Sequence, residues 1–301
     1  MSRLFPALNL PTTVVGSYPV VQGRGLLRIF DPLRMALEIA VEDQISAGID
    51  IISDGQVRGD MIHTFTSRLP GIRGQEVIGR VQPADHPITL SSTKYALTQH
   101  RFVKGIVTGP STLAHGLRIA TPTYRERGEL VIDLAAALAD EAAALEKAGA
   151  CILQLDEPIF STGAADLAIG REALRIITSR LHVPVCLHVC GDLGEVIDSL
   201  RGMPVDILDL EFSKNSGNRE IVSGRDFEGH MVGYGCVDSA DPVVESVTII
   251  KERILEGIDI FGPEKILIDP DCGLRMLPRE AAYQKLSHMV TAARECRALF
   301  A

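Results

Sequence analysis

His188 and Cys190 are separated by one residue at the end of the apolar stretch Val183–Val189. On an extended segment residues two apart point the same way, so an imidazole and a thiol share one side. Cys272 stands in Asp269-Pro270-Asp271-Cys272-Gly273, a turn-forming stretch after another apolar run and a poor place for an inert core cysteine. Glu211 follows a third run, 207–210. Imidazole, thiolate and carboxylate are zinc ligands, and four of them converging on one point fit a tetrahedral site. Two thiolates and a carboxylate place a formal charge of about −3 around an ion of +2. Such a shell activates water poorly. It lowers the pKa of an entering thiol and leaves the sulfur electron-rich. The predicted chemistry is S-alkylation by in-line displacement, with Glu211, the hardest ligand, loosened or displaced as the thiol enters.

These four residues meet only if separate strands end at one place. Short apolar runs at 12–15, 49–52, 102–107, 151–155, 183–189, 207–210, 231–233 and 266–268 alternate with amphipathic segments at 32–47, 130–147, 171–180, 193–200, 242–257 and 278–296. Leu33, Ala36, Leu37, Ala40, Val41 and Ile45 make a helical stripe, which Gly48 closes. About eight strand-then-helix units in a chain of this length predict a single (β/α)8 TIM barrel over residues 1–301. The runner-up, an open doubly wound sheet, lacks a glycine-rich dinucleotide fingerprint after the first strand. Residues 71–101, with Gly, Pro and alternating apolar positions, read as an inserted hairpin-like excursion after strand two.

In a barrel the carboxyl ends of the strands open into one mouth. The polar residues just past each run are Ser17, Asp54, Gln56, Thr108, Asp156, Glu157, His188, Cys190, Glu211, Cys236, Asp238, Asp269, Asp271 and Cys272. Cys151, Cys186 and Cys296 read as packing residues, Cys236 as a small residue at the core edge, and Glu157 as structural. Asp60, His63 and His115 border the mouth in surface or hydrogen-bonding roles.

The 301 residues carry a net charge of −9, with 46% apolar and 23% charged residues, and contain no Trp. An acidic chain argues against nucleic acid and against an anionic membrane as partners. No stretch approaches a membrane span, and Met1–Leu10 has no secretory pattern. The expected compartment is the cytoplasm, where six cysteines are core residues or ligands rather than disulfides.

Thr12-Thr13-Val14-Val15-Gly16-Ser17-Tyr18-Pro19, Thr108-Gly109-Pro110, Gln154-Leu155-Asp156-Glu157-Pro158, His188-Val189-Cys190, Glu211 and Asp269-Pro270-Asp271-Cys272-Gly273-Leu274 together resemble the catalytic barrel of cobalamin-independent methionine synthase. The matches run in order from about residue 10 to the last helix. The resemblance implies homocysteine as methyl acceptor, its thiolate bound to zinc held by His188, Cys190, Glu211 and Cys272. It implies that Ser17 and nearby backbone amides, Gly16 among them, hold the homocysteine carboxylate and that Asp156 pairs with its ammonium group.

The chain also departs from that family. The folate-stacking Trp is absent, Gln56 replaces a pocket glutamate, and the proton-donating His, expected near Ser239-Ala240-Asp241, is missing. The expectation is a short form without the second, amino-terminal barrel-like domain of the full-length enzymes. Its methyl donor is expected to be methylcobalamin, carried by a corrinoid protein, since cobalt leaves without a proton. Coenzyme M as an alternative thiol lacks an ammonium group for Asp156. A decarboxylase of the related porphyrin-acting barrels needs no zinc. A non-catalytic zinc- or corrinoid-binding barrel predicts a closed site indifferent to thiols.

Overall fold

The computed structural model describes residues 9–21, 31–227 and 229–300. Residues 1–8, on which the reading of no secretory pattern mainly falls, lie outside the described residues. The regular elements, in chain order, are α1 (Arg34–Ala47), α2 (Met61–Thr66), β1 (Ile72–Arg73), β2 (Glu76–Val77), α3 (Leu90–Gln99), β3 (Lys104–Thr108), α4 (Pro110–His115), β4 (Arg118–Ile119), α5 (Arg127–Ala148), β5 (Ile152–Asp156), α6 (Leu167–Thr178), β6 (Val185–Val189), α7 (Ile197–Leu200), β7 (Ile207–Glu211), α8 (Asn218–Val222), β8 (Met231–Val237), α9 (Val247–Phe261), β9 (Ile266–Pro270) and α10 (Arg279–Arg297). Among the described residues no helix is long and apolar enough to cross a membrane.

Six strands form an all-parallel sheet in the order β3-β5-β6-β7-β8-β9. Single parallel bridges join its edges: Ile52 to Val103, Thr13 to Ile51, and Thr12 to Ile268. Residues 12–13 and 51–52 thus complete the ring, which closes as the expected (β/α)8 barrel. Side-chain alternation along each strand sorts the residues into two sets. Leu153, Leu155, Leu187, Val189, Leu208 and Leu210 pack into the large core shared with the helices. Ile51, Ile152, Cys186, Ile207 and Leu267 form a separate small cluster that plugs the barrel interior.

Two residues further along the same strands the interior turns polar. Lys104, Gln154, Asp209 and Asp269 are each almost fully buried. Lys104 Nζ donates to Gln154 Oε1 at 2.5 Å. Burial and the adjacent Asp209 push Asp269 far above the usual carboxylate range. Burial acts the same way on Asp209, but His188 outweighs it and holds Asp209 low. One proton therefore serves two carboxyl groups. Gly233 makes room for this pair, because a Cβ there would lie 2.9 Å from Asp209 Cβ.

The 71–101 excursion contains more than a hairpin. β1 and β2 pair antiparallel, β2 adds β4 in parallel, and the rest includes α3. The sequence of α3, with four Ser and Thr among ten residues, masks the helix because these residues compete for backbone hydrogen bonds. The short helices α2, α4 and α8 also escape a periodicity reading, being too short to show a stripe. α9 begins later than expected, at Ser246, whose side chain caps Ile249 N. Residues 238–246 form the loop between β8 and α9. Glu245 ties this loop down, accepting from Asp238 N at 2.8 Å, from Arg253, and from the fully buried Lys285 of α10.

Glu245 keeps Arg253 and the Asp238 N–H when Lys285 is lost but gives up its contact on Oε2, so Lys285→Met is expected to destabilise the fold by about 2 kcal/mol. Chemical denaturation of the variant against the parent protein measures this.

Candidate metal centre and substrate pocket

His188 lies on β6, Cys190 follows that strand, and Cys272 sits in the turn after β9. Their ligand atoms all lie within 4.8 Å of one another. His188 is buried, and its Nε2 has no hydrogen-bond partner. Its Nδ1 faces Asp209 Oδ1 at 3.3 Å, a close ionic contact whose angle falls short of a hydrogen bond. The pairing follows from strand register, which sets His188 opposite Asp209. A carboxylate behind one imidazole nitrogen selects the tautomer that offers the other to a metal.

The two sulfurs are electrostatically coupled. Hydrogen bonding from Cys272 holds the Cys190 thiol below its ordinary value, and the same contact, with burial, pushes Cys272 up. Burial pulls the His188 imidazole down, but Asp209 and Cys272 overcome it and raise its proton affinity. Protons thus occupy a spot where two sulfurs and a nitrogen converge, and a divalent cation can take their place. An orphaned buried nitrogen with two thiols fits zinc, and three protein ligands leave a fourth position for another group.

Glu211 does not join this group of three. Its Oε2 accepts from the Gly191 backbone N–H at 3.0 Å and its Oε1 accepts from Asn215 Nδ2 at 2.6 Å. It lies close enough to Cys190 to raise the affinity of that thiol for its proton.

A cavity of about 280 Å³ opens onto this centre, with walls that include Ser17, Gln56, Asp156, Cys190, Cys272 and Arg275. Asp156 is 5% exposed. Gln154 Nε2 donates to its Oδ1 at 2.7 Å and Gln56 Nε2 to its Oδ2 at 3.4 Å. Burial raises the pKa of Asp156 while His188 and the amides lower it, so a cation beside it would be strongly favoured. Gln56 carries a φ of +45°, rare for a residue with a side chain, and this places strain on the pocket wall. Ser17 reaches the cavity because Gly273 has no side chain; a Cβ there would collide with Ser17 Oγ. Gly16 is not on the wall. It packs behind, where a Cβ would come within 2.5 Å of Ile106 and 3.0 Å of Gln56.

Several other polar residues named from the sequence hold backbone groups. Glu157 accepts from Ser111 N, Thr112 N and Thr112 Oγ1, holding the start of α4. Asp60 caps α2, and both ring nitrogens of His115 contact backbone carbonyls. Cys236 is fully buried. Sequence reasoning missed Asp209, Gln154 and Asn215 as supporting groups. For the first two a signal existed, because each is a polar residue inside an apolar strand two positions before a named site residue. Asn215 lies in an irregular loop and gave none.

Residues 10–295 match the family described as cobalamin-independent synthase, catalytic domain. The chain belongs to the cobalamin-independent methionine synthase family. It is 43% identical to the methionine synthase of Methanothermobacter marburgensis, over 94% of this chain and 99% of that protein. It is also 43% identical to the methionine synthase of Methanocaldococcus jannaschii, over 93% and 97%. The fold resembles a B12-independent methionine synthase from Shewanella sp. W3-18-1 in complex with selenomethionine, with a TM-score of 0.85, 22% identity, and 97% and 99% of the two chains covered.

Membership in this family corrects one expectation. Methylcobalamin as donor, and with it a corrinoid protein as partner, conflicts with a cobalamin-independent synthase. The expectation rested on family features not found in the sequence, a Trp and a His among them, and on cobalt leaving without a proton. Their loss removes one means of activating a folate but builds nothing that recognises a corrin. The cavity is also small, below the ~300–1,000 Å³ that encloses drug-sized ligands.

Asp209→Asn removes the carboxylate that orients His188. It is expected to weaken zinc binding by about 10- to 100-fold, measured by competition with a chromophoric chelator.

Proposed function

We propose that the protein transfers a methyl group to the sulfur of homocysteine at a zinc ion held by His188, Cys190 and Cys272, with Glu211 as the fourth ligand when no thiol is present. The observation that carries this reading is the convergence of one imidazole and two thiols on the wall of an amino-acid-sized pocket that also contains a buried carboxylate, Asp156. When bound there, zinc lowers the pKa of a substrate thiol and keeps the sulfur nucleophilic.

The residues of the chain do the rest. Asp156, adjacent in register to His188 across β5 and β6, pairs with the substrate ammonium group. Gln154 and Gln56 orient that carboxylate, and Lys104 in turn orients Gln154. Ser17, on the pocket wall, meets the substrate carboxylate. Held at both ends, the amino acid delivers its sulfur to one point, and this positioning lowers the entropic barrier to attack. A sulfur lone pair forms the new S–CH3 bond, and the electrons of the old bond leave with the donor. Burial of the site keeps water from competing for the methyl group.

An ammonium-binding role for Asp156 favours homocysteine over thiols that lack an amino group, such as coenzyme M. Asp156→Asn is expected to weaken homocysteine binding by about 10- to 100-fold, because a charge-assisted contact becomes a neutral one. Zinc content should stay near that of the parent protein. Calorimetric titration of the zinc-loaded protein with homocysteine checks this. Unchanged affinity in the variant would contradict the assigned role, and a zinc-free parent protein would contradict the whole reading.

A further inference from the structure

The Glu211 carboxylate is 5% exposed and sits on two donors, Asn215 Nδ2 at 2.6 Å and the Gly191 N–H at 3.0 Å. Its ligand atoms are not within the cluster formed by His188, Cys190 and Cys272. An ionised carboxylate that leaves a metal inside a protein needs replacement donors, or it bears the full cost of a buried unpaired charge. Here both donors are already in place.

Their surroundings hold them firmly. The backbone that carries Asn215 is fixed by Asp271, which accepts from Phe212 N at 3.0 Å, Ser213 N at 2.8 Å and Lys214 N at 2.7 Å. Asn218 clamps the other side: its Nδ2 donates to Gly191 O at 2.9 Å and to Glu211 O at 2.7 Å, and its Oδ1 accepts from Leu193 N at 3.1 Å. Gly191 follows the ligand Cys190 with a φ of +101°, a left-handed conformation that turns its N–H toward the carboxylate. A side-chain amide is suited to the task, because it stabilises an anion without bringing a cation that would bind it too tightly to release.

We propose that Asn215 and the Gly191 amide form a second seat for the Glu211 carboxylate, which it occupies when a substrate thiol takes its place beside His188, Cys190 and Cys272. The proposal rests on the zinc-thiol reading above and adds a positioning residue to it. Seat and metal compete for one carboxylate, so Asn215 sets how readily a thiol enters. Without thiol, a weaker seat leaves Glu211 on the metal. With thiol, it leaves the displaced charge poorly solvated.

The test follows from that competition. Asn215→Ala is expected to weaken homocysteine binding to the metal-loaded protein by on the order of 10- to 100-fold, while zinc affinity without thiol stays equal or rises. Homocysteine affinity is read from the visible spectrum of the cobalt-substituted protein, and zinc affinity from chelator competition. Asn215→Asp, of the same shape but placing like charge against Glu211, should weaken thiol binding further; it carries the test if the alanine variant does not fold. A purely structural asparagine would lower both affinities together. That result, or homocysteine affinity unchanged in both variants, would overturn the seat. A parent protein whose cobalt spectrum ignores homocysteine would overturn the zinc-thiol reading itself, before any variant is compared.

Discussion

Two thiols and an imidazole lie within 4.8 Å of one another; the two sulfurs repel once both are ionised, and each group loses much of its hydration at a half-buried or buried site. A cation joining them turns that cost into a bond. Much else near the barrel mouth serves this convergence. Strand register brings His188 to Asp209 and sets it beside Asp156. The turn after β9 returns Cys272 to the same point, and Asp271 within that turn holds the loop after β7.

The barrel interior is layered to support that mouth. Below lies an apolar plug built from Ile51, Ile152, Cys186, Ile207 and Leu267. Above it come Lys104, Gln154, Asp209 and Asp269, all almost fully buried, with Lys104 donating to Gln154. This middle layer touches Asp156 through Gln154 and His188 through Asp209. The arrangement couples the two ends of the pocket: whatever fixes Gln154 also fixes Asp156, and whatever fixes Asp209 also fixes His188. A rigid support of this kind lets a small pocket place one sulfur accurately.

Much of this was legible in the sequence, for identifiable reasons. The alternation of apolar runs with amphipathic segments revealed the barrel, because parallel strands require crossover helices. His188, Cys190 and Cys272 stood out because their chemistry contrasts with the apolar runs beside them. Glu211 was expected as a fourth ligand, whereas the structure sets its carboxylate on Asn215 Nδ2 and the Gly191 N–H, contacts that depend on loop geometry with no periodic signal. α3 was hidden by its serines and threonines, and the closing strands at 12–13 and 51–52 pair by single bridges rather than full ladders. The methyl donor was misread because absent side chains were taken as a positive signal. A missing Trp and a missing His show what the pocket lacks and cannot specify what enters it.

The central claim is that one metal ion sits among His188, Cys190 and Cys272. Anomalous diffraction at the zinc edge, on crystals of protein purified without chelators, tests it most directly. The account predicts a single strong peak at bonding distance from His188 Nε2 and both sulfurs, about 2.0–2.1 Å and 2.3 Å. No peak there, or a disulfide between Cys190 and Cys272 in protein that still methylates homocysteine, would contradict it.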